Sequence, residues 1–336
     1  MKKILVTGGC GYIGSHTIVD LVESGFEVVS IDDFSNSKPE VLEGINKTLG
    51  TPVLNYIIDL CDKSALFDFF KQHQEIDGII HFAAFKYVNE SVEKPLAYYR
   101  NNLVSLLNLL EACEKFDIKH FVFSSSCSVY GNAKKLPVDE SAPLVKPESP
   151  YANTKVIGEQ IIQDFVNVFP LKTTLLRYFN PVGAHPKGFI GENPEGIPQN
   201  IIPRLTGTAL GKFEKFVVAG NDYNTKDGSC VRDYIHVSDI AHAHTLALQW
   251  LFKEAESVCE VFNLGTGNGT SVLELIHAFE EATQVKLNYQ LGSRRQGDVE
   301  AIYADNQKAA QLLGWKTQYS LHEMMKSAWD WERKNG

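Results

Sequence analysis

Ile4-Leu5-Val6-Thr7-Gly8-Gly9-Cys10-Gly11-Tyr12-Ile13-Gly14 decides how this chain folds. A short apolar run stops abruptly at glycines, as a buried strand does on entering a tight turn. Beyond the turn, Ile13, Thr17 and Leu21, with Ile18 and Val22, recur at helical spacing until Gly25. Gly9, Gly11 and Gly14 fit G-x-G-x-x-G, and Gly8, Gly11 and Gly14 fit an overlapping G-x-x-G-x-x-G. Glycines alone could mean only a tight turn. Between a strand and a helix they let a pyrophosphate approach the N–H groups that open the helix, so Gly8, Gly11, Tyr12, Ile13 and Gly14 are candidate dinucleotide contacts.

Outward from that loop the pattern repeats. Val28–Ile31 reads as a second strand closing on Asp32-Asp33, with Asp32 21 residues after Gly11. A carboxylate there accepts hydrogen bonds from ribose hydroxyls and repels a 2′-phosphate, so NAD is expected rather than NADP. Asp33 either doubles that charge or serves only as a turn residue. Further strands are predicted at Val53–Ile58, Gly78–Phe82, His120–Phe123 and Thr173–Arg177, and helices at Pro39–Leu49, Asp62–His73, Pro95–Phe116 and Pro150–Phe169. This alternation predicts an α/β fold, a doubly wound parallel sheet of the Rossmann kind. Ligands of such sheets bind beyond the carboxyl ends of the strands. Asp59-Leu60, Phe82-Ala83-Ala84 with Lys86 beyond them, and Ser124-Ser125-Ser126 all fall at such ends.

After about residue 178 the segments shorten and Pro, Gly and Asn become frequent. Residues 1–178 are therefore expected to form the dinucleotide-binding domain and 179–336 a smaller mixed α/β substrate domain. Within the latter, a helix at Val237–Phe252 and a strand at Val261–Leu264 are expected to return to the first domain. Other expected elements are helices at Pro198–Leu210, Ser271–Thr283, Asn306–Leu313 and Leu321–Arg333 and a strand at Lys215–Ala219. Trp329 and Trp331 are expected to pack.

The 336 residues carry a formal charge of −9 with no basic run, which argues against nucleic acid or an anionic membrane as a partner. No apolar run approaches the ~20 residues that span a bilayer, and the apolar start ends at Gly8, too soon for a signal peptide. Cys10, Cys61, Cys113, Cys127, Cys230 and Cys259 are scattered without a C-x-x-C pair, so neither disulfides nor zinc are expected and a reducing cytoplasm fits. His242 and His244 point to different faces of a helix and are expected to be structural rather than metal ligands.

One stretch remains, Ser149-Pro150-Tyr151-Ala152-Asn153-Thr154-Lys155. Serine then proline starts a helix. Tyr151 and Lys155, four residues apart, share one face of it. A lysine cation favours the phenolate, so the pair could form a proton-transfer device.

The glycine loop, Asp32, the serine run and Tyr151-x-x-x-Lys155 together resemble the extended short-chain dehydrogenase/reductase family. Thr7 to His16, Ser124 to Gly131, Arg177-Tyr-Phe-Asn-Pro-Val-Gly-Ala-His185 and Val231-Arg-Asp-Tyr-Ile-His-Val237 are most similar to its members that invert C4 of UDP-hexoses. The resemblance implies interconversion of UDP-galactose and UDP-glucose through a 4-keto sugar on tightly held NAD. It implies Tyr151 as acid–base catalyst, Ser126 at the same sugar oxygen, and Lys155 holding the nicotinamide ribose and depressing the Tyr151 pKa. Ser37, Lys86, Asn101, Ser124 and Tyr178 would join the cofactor contacts. Lys86, Phe179, Asn180, Asn200, Val217, Ala219, Arg232, Arg295, Asp298 and Ile302 would meet the sugar nucleotide, the two arginines at the phosphates. Ile302 stands where the family carries either a bulky or a small residue, leaving N-acetylated sugars such as UDP-N-acetylglucosamine an alternative. A 4,6-dehydratase would carry an acidic pair where Cys127-Ser128 stand. The resemblance also implies a homodimer pairing the Pro95–Phe116 and Pro150–Phe169 helices.

Overall fold

The computed structural model describes residues 1–144, 147–194, 196–295 and 299–335. The first half runs β1 (Lys3–Thr7), α1 (Tyr12–Glu23), β2 (Glu27–Ile31), α2 (Pro39–Leu49), β3 (Leu54–Tyr56), α3 (Lys63–Gln72), β4 (Ile76–His81), α4 (Val88–Glu93), α5 (Pro95–Lys115), β5 (His120–Ser126), α6 (Pro150–Val166) and β6 (Lys172–Tyr178). The second half runs β7 (Asn180–Val182), α7 (Ile201–Ala209), β8 (Phe216–Ala219), β9 (Val231–Arg232), β10 (Tyr234–His236), α8 (Val237–Leu251), β11 (Val258–Leu264), β12 (Thr270–Ser271), α9 (Val272–Thr283), β13 (Tyr289–Gly292), β14 (Ala301–Ile302), α10 (Gln307–Leu313) and α11 (Leu321–Asn335).

Seven strands form one parallel sheet in the order β11-β6-β5-β4-β1-β2-β3. Because side chains alternate across a strand, neighbouring residues enter opposite layers. Ile4, Val6, Ile80, Val122 and Leu176 pack under α1 and α8, together with Phe262 and Trp315. Leu5, Ile79, Phe121, Phe123 and Leu175 pack under α3, α5 and α6. Burial on both faces is why these strands read as continuous apolar runs. A separate core, including Leu205, Phe216, Val218, Tyr234, Phe279, Met325 and Trp329, joins α7, α9 and α11 to β8 and β10.

The differences from the sequence reading concern ends and short pieces. β3 is shorter than Val53–Ile58 because it is the sheet's outer strand, where Leu54 and Ile57 stand exposed. β11 starts earlier than Val261, since Val258 donates to the Leu171 carbonyl and pairs with Lys172. Six-residue α4 and the two- to four-residue strands β7, β9, β10, β12, β13 and β14 are too short to show a period. His242 sits on Asp20 (3.2 Å) and His244 on the Ile240 carbonyl (2.8 Å), on different faces. Among the described residues no helix is long and apolar enough to cross a membrane.

Candidate active site

The strand order reverses between β1 and β4, and there a cavity of about 480 Å³ opens beyond the carboxyl ends. Gly8, Gly11, Tyr12, Ile13 and Gly14 line one side of it. Gly8 has φ +69°, and a Cβ on it would come 2.7 Å from the Ala83 nitrogen. At Gly14 a Cβ would come 2.2 Å from the Gly8 carbonyl oxygen, so the loop can lie on α1 and β4 only without side chains. Gly9 faces Ser30 and Ile18 instead, so Gly8, Gly11 and Gly14 are the glycines that meet the cavity. Asp62 caps α3 and Ser149 caps α6, but α1 opens at Gly11 with no side-chain cap and no acid in its first turn. Its orphan N–H groups and dipole make a seat for an anion.

Asp32 lies at the rim of this seat. Its carboxylate accepts from the Cys10 nitrogen (2.9 Å), the Phe34 nitrogen (3.0 Å) and the Ser37 hydroxyl (2.7 Å). Burial holds its pKa above the usual carboxylate range, against those bonds. Ser37 therefore orients Asp32 as well as lining the cavity. Asp33 lines the cavity and accepts from the Ser35 nitrogen, as a turn residue does. Asp59, Leu60, Phe82, Ala83, Ala84, Lys86 and Asn101 line it too. The sequence reading missed Asn102. That amide accepts from the Phe85 nitrogen (2.8 Å) and donates to the Phe85 carbonyl (3.0 Å) and Thr154 (3.1 Å), fastening the loop after β4 to α6.

Ser149 starts α6 by accepting from the Ala152 nitrogen at 3.2 Å. Tyr151 and Lys155 then face the cavity together. The missing side chain of Gly158 lets α6 close on β5, since a Cβ there would lie 2.9 Å from Phe123. The serines of β5 alternate. Ser124 and Ser126 line the cavity, with the Ser124 hydroxyl on the Tyr178 hydroxyl. Ser125 turns away to Glu159 (2.5 Å), which is forked onto Arg177 by bonds of 2.9 and 2.5 Å.

Lys155 donates to the Ser124 carbonyl at 2.7 Å, and burial lowers its pKa to about 8 against the pull of Glu159. Burial pushes the Tyr151 hydroxyl up to about 12, with a hydrogen bond to Ser126 working the other way. The expectation joins Lys155 to the positive nicotinamide ring in depressing the Tyr151 pKa; in the chain alone, burial outweighs the lysine. The ammonium is committed to the Ser124 carbonyl and lies 6.0 Å from the Tyr151 ring centre, so desolvation dominates.

A second cavity of about 570 Å³ adjoins the first, and Asn180, Asn200 and Arg232 line both. Val217, Ala219 and Arg295 lie in the second cavity only. β8 sends Phe216 and Val218 into the core, while Val217 is exposed to the cavity. Phe179 and Ile302 line the first cavity, backed by Val129, Tyr130, Val138 and Ala304. Asp298 lies outside the described residues. Asp233, next to Arg232, is fully buried and accepts from the nitrogens of Thr266 (2.8 Å), Gly267 (3.1 Å) and Ala304 (3.1 Å). It fixes Arg232 beside the segment that carries Ile302. Glu192 also lines the second cavity, and nothing in Gly191-Glu192-Asn193-Pro194 marks it in the sequence.

The family model described as GDP-mannose 4,6 dehydratase matches residues 5–328. A UDP-glucose 4-epimerase of Bacillus subtilis is 46% identical over 333 residues, covering 99% of this chain and 97% of the relative. The crystal structure of UDP-glucose 4-epimerase from Bifidobacterium longum in complex with NAD+ and UDP superposes with a TM-score of 0.95 at 43% identity, covering 99% of both chains. That from Stenotrophomonas maltophila, with bound NAD and formylated UDP-arabinopyranose, gives 0.96 at 42% identity over 99% and 98% of the two chains.

Proposed function

This chain belongs to the UDP-glucose 4-epimerase family of extended short-chain dehydrogenase/reductases, and from that premise we infer the reaction of its site. It is an isomerase that interconverts UDP-galactose and UDP-glucose. The observation that carries this reading is the junction of the two cavities, with Tyr151, Ser126 and Lys155 on one side and Arg232 and Arg295 leading away on the other.

The residues present fit NAD. The uncapped start of α1 and a cradle that any Cβ would fill suit a pyrophosphate, and Asp32 suits an unphosphorylated ribose. NAD, when bound, supplies a site that takes the hydride from C4 and returns it to the other face of the 4-keto sugar, so there is no net redox change. Tyr151 removes and later returns the proton of the 4-hydroxyl, and Ser126 hydrogen-bonds the same oxygen. Because burial keeps Tyr151 protonated, the phenolate needs added positive charge in the site. Lys155 is assigned to the nicotinamide ribose. Arg232 and Arg295 are assigned to the phosphates, Asp298 to the uridine ribose and the Val217–Ala219 backbone to uracil.

On this reading residues 1–178, with 237–264, serve NAD, and the rest of 179–336 serves the sugar nucleotide. We also propose a cytoplasmic homodimer built on α5 and α6. Leu96 and Leu107, exposed on α5, support the pairing; scattering that gives a monomer at micromolar concentration would remove it. The N-acetyl alternative is not favoured, because relatives at 44% and 46% identity are UDP-glucose 4-epimerases. The test is incubation with UDP-galactose. UDP-glucose should form without NADH accumulating, whereas a 6-deoxy-4-keto sugar would overturn the reading.

A further inference from the structure

Glu192 is a buried carboxylate that the reaction as described leaves without a role. It is 8% exposed and lines the second cavity beside Asn200, which lines both. Its Oε1 accepts from the Asn200 amide at 2.5 Å and lies 4.0 Å from the Lys86 ammonium. Its backbone is mounted firmly. The Glu192 carbonyl accepts from the Trp331 indole at 3.1 Å, and Gly191 lies so close under that ring that a Cβ would come within 2.5 Å. Burying a carboxylate against one neutral amide and a cation at 4.0 Å is costly. An apolar side chain would fill the same space without that cost. The two groups that the carboxylate gathers come from distant parts of the chain, Lys86 from the loop after β4 and Asn200 from the start of α7.

We propose that Glu192 is a positioning residue, holding the Lys86 ammonium and the Asn200 amide at the junction of the two cavities, ready for the diphosphate and hexose of a sugar nucleotide. The proposal rests on the UDP-hexose reading and adds a charge that acts through Lys86 and Asn200 rather than by touching the reacting atoms. The Glu192 charge would repel the diphosphate if it met it directly. Its use lies in the two donors that it orients.

The test uses the full chain with its bound NAD. Glu192→Gln keeps the shape and an acceptor for Asn200 but removes the charge that faces Lys86. KM for UDP-galactose should rise about tenfold with kcat within about twofold, because the interaction lost is one of binding. NAD content and melting temperature should stay unchanged. Lys86→Met should raise KM too, and the double variant should be no worse than Lys86→Met alone, since one substitution has already removed the pair. An unchanged KM in Glu192→Gln, or effects that simply add, overturns the proposal. So does a parallel loss of kcat, NAD and melting temperature, which marks a structural role. If the wild-type protein does not epimerise at all, the UDP-hexose reaction fails by itself. Calorimetric UDP-glucose affinity across the same variants then decides between coupling through Lys86 and none.

Discussion

At the scale of single residues, the site holds a phenol, the proposed proton carrier, beside a fixed cation. Tyr151 is half-buried at the cavity wall, and desolvation raises its pKa to about 12, so the ligand-free site holds a neutral phenol. Lys155 is tied by 2.7 Å to a carbonyl on β5, and desolvation dominates the phenol. If the phenol is the group that exchanges a proton with the 4-hydroxyl, its loss should act on turnover and not on binding. Tyr151→Phe is expected to lower kcat by about 10²–10⁴-fold, the usual worth of positioned acid–base catalysis. KM should change little. Initial rates with UDP-galactose check this, and a variant that turns over at the wild-type rate removes Tyr151 from the role.

At the scale of elements, α6 carries both Tyr151 and Lys155, so the proposed catalysis depends on it. Ser149 satisfies an orphan N–H in its first turn, two residues before Tyr151. Ser149→Ala should cost about 1 kcal/mol of unfolding free energy, as cap losses do. It should also lower kcat severalfold, far less than Tyr151→Phe. Urea unfolding beside initial rates measures both, and a stability loss with untouched kcat would show that the cap does not steer Tyr151. The start of α6 was legible in the sequence because serine followed by proline has one common structural use. The parallel sheet was legible for a similar reason, since strands buried on both faces are written as apolar runs. The glycines, Asp32 and the serine run could be read because each lies at the end of such a strand. Other features left no local trace. Asn102 and Glu192 act through partners far along the chain, Thr154 and Lys86 among them. The short strands around Arg232 are fixed by Asp233 and its distant amides rather than by their own pattern. The Tyr151 pKa is set by desolvation in the folded chain, which spacing to Lys155 cannot express.

At the scale of the whole molecule, buried histidines tie the sheet, the helices and the second core to one pH window. Burial lowers His16 on α1 and His81 on β4 to about 3, and His236 on β10 and His244 on α8 to about 4. Each ring is placed as a neutral group. His81 pairs with Thr7 across β1 and β4, and His236 stacks on Tyr319 with ring centres 3.9 Å apart. Nε2 of His16 and of His244 has no partner among the described residues, so a proton there would be buried without compensation. Once unfolded, all four take up protons near their ordinary value of 6.5. Below that pH the unfolded chain therefore binds more protons than the folded one. The histidine contribution is fully present above pH 6.5 and falls as pH drops towards 4. Asp239, raised to about 6 by burial, works in the opposite direction, as do the carboxyls of Asp32, Glu140, Glu192 and Asp233, which burial also raises, while His120 and His185, lowered by burial, act with the four rings. Unfolding free energy should thus fall from pH 7 to pH 5 by about 1.4 kcal/mol per pH unit for each net proton taken up. Urea titrations at pH 7.5, 6.5 and 5.5 measure that slope. A flat profile would mean that these rings accept protons within the folded state, contrary to the burial that holds them neutral.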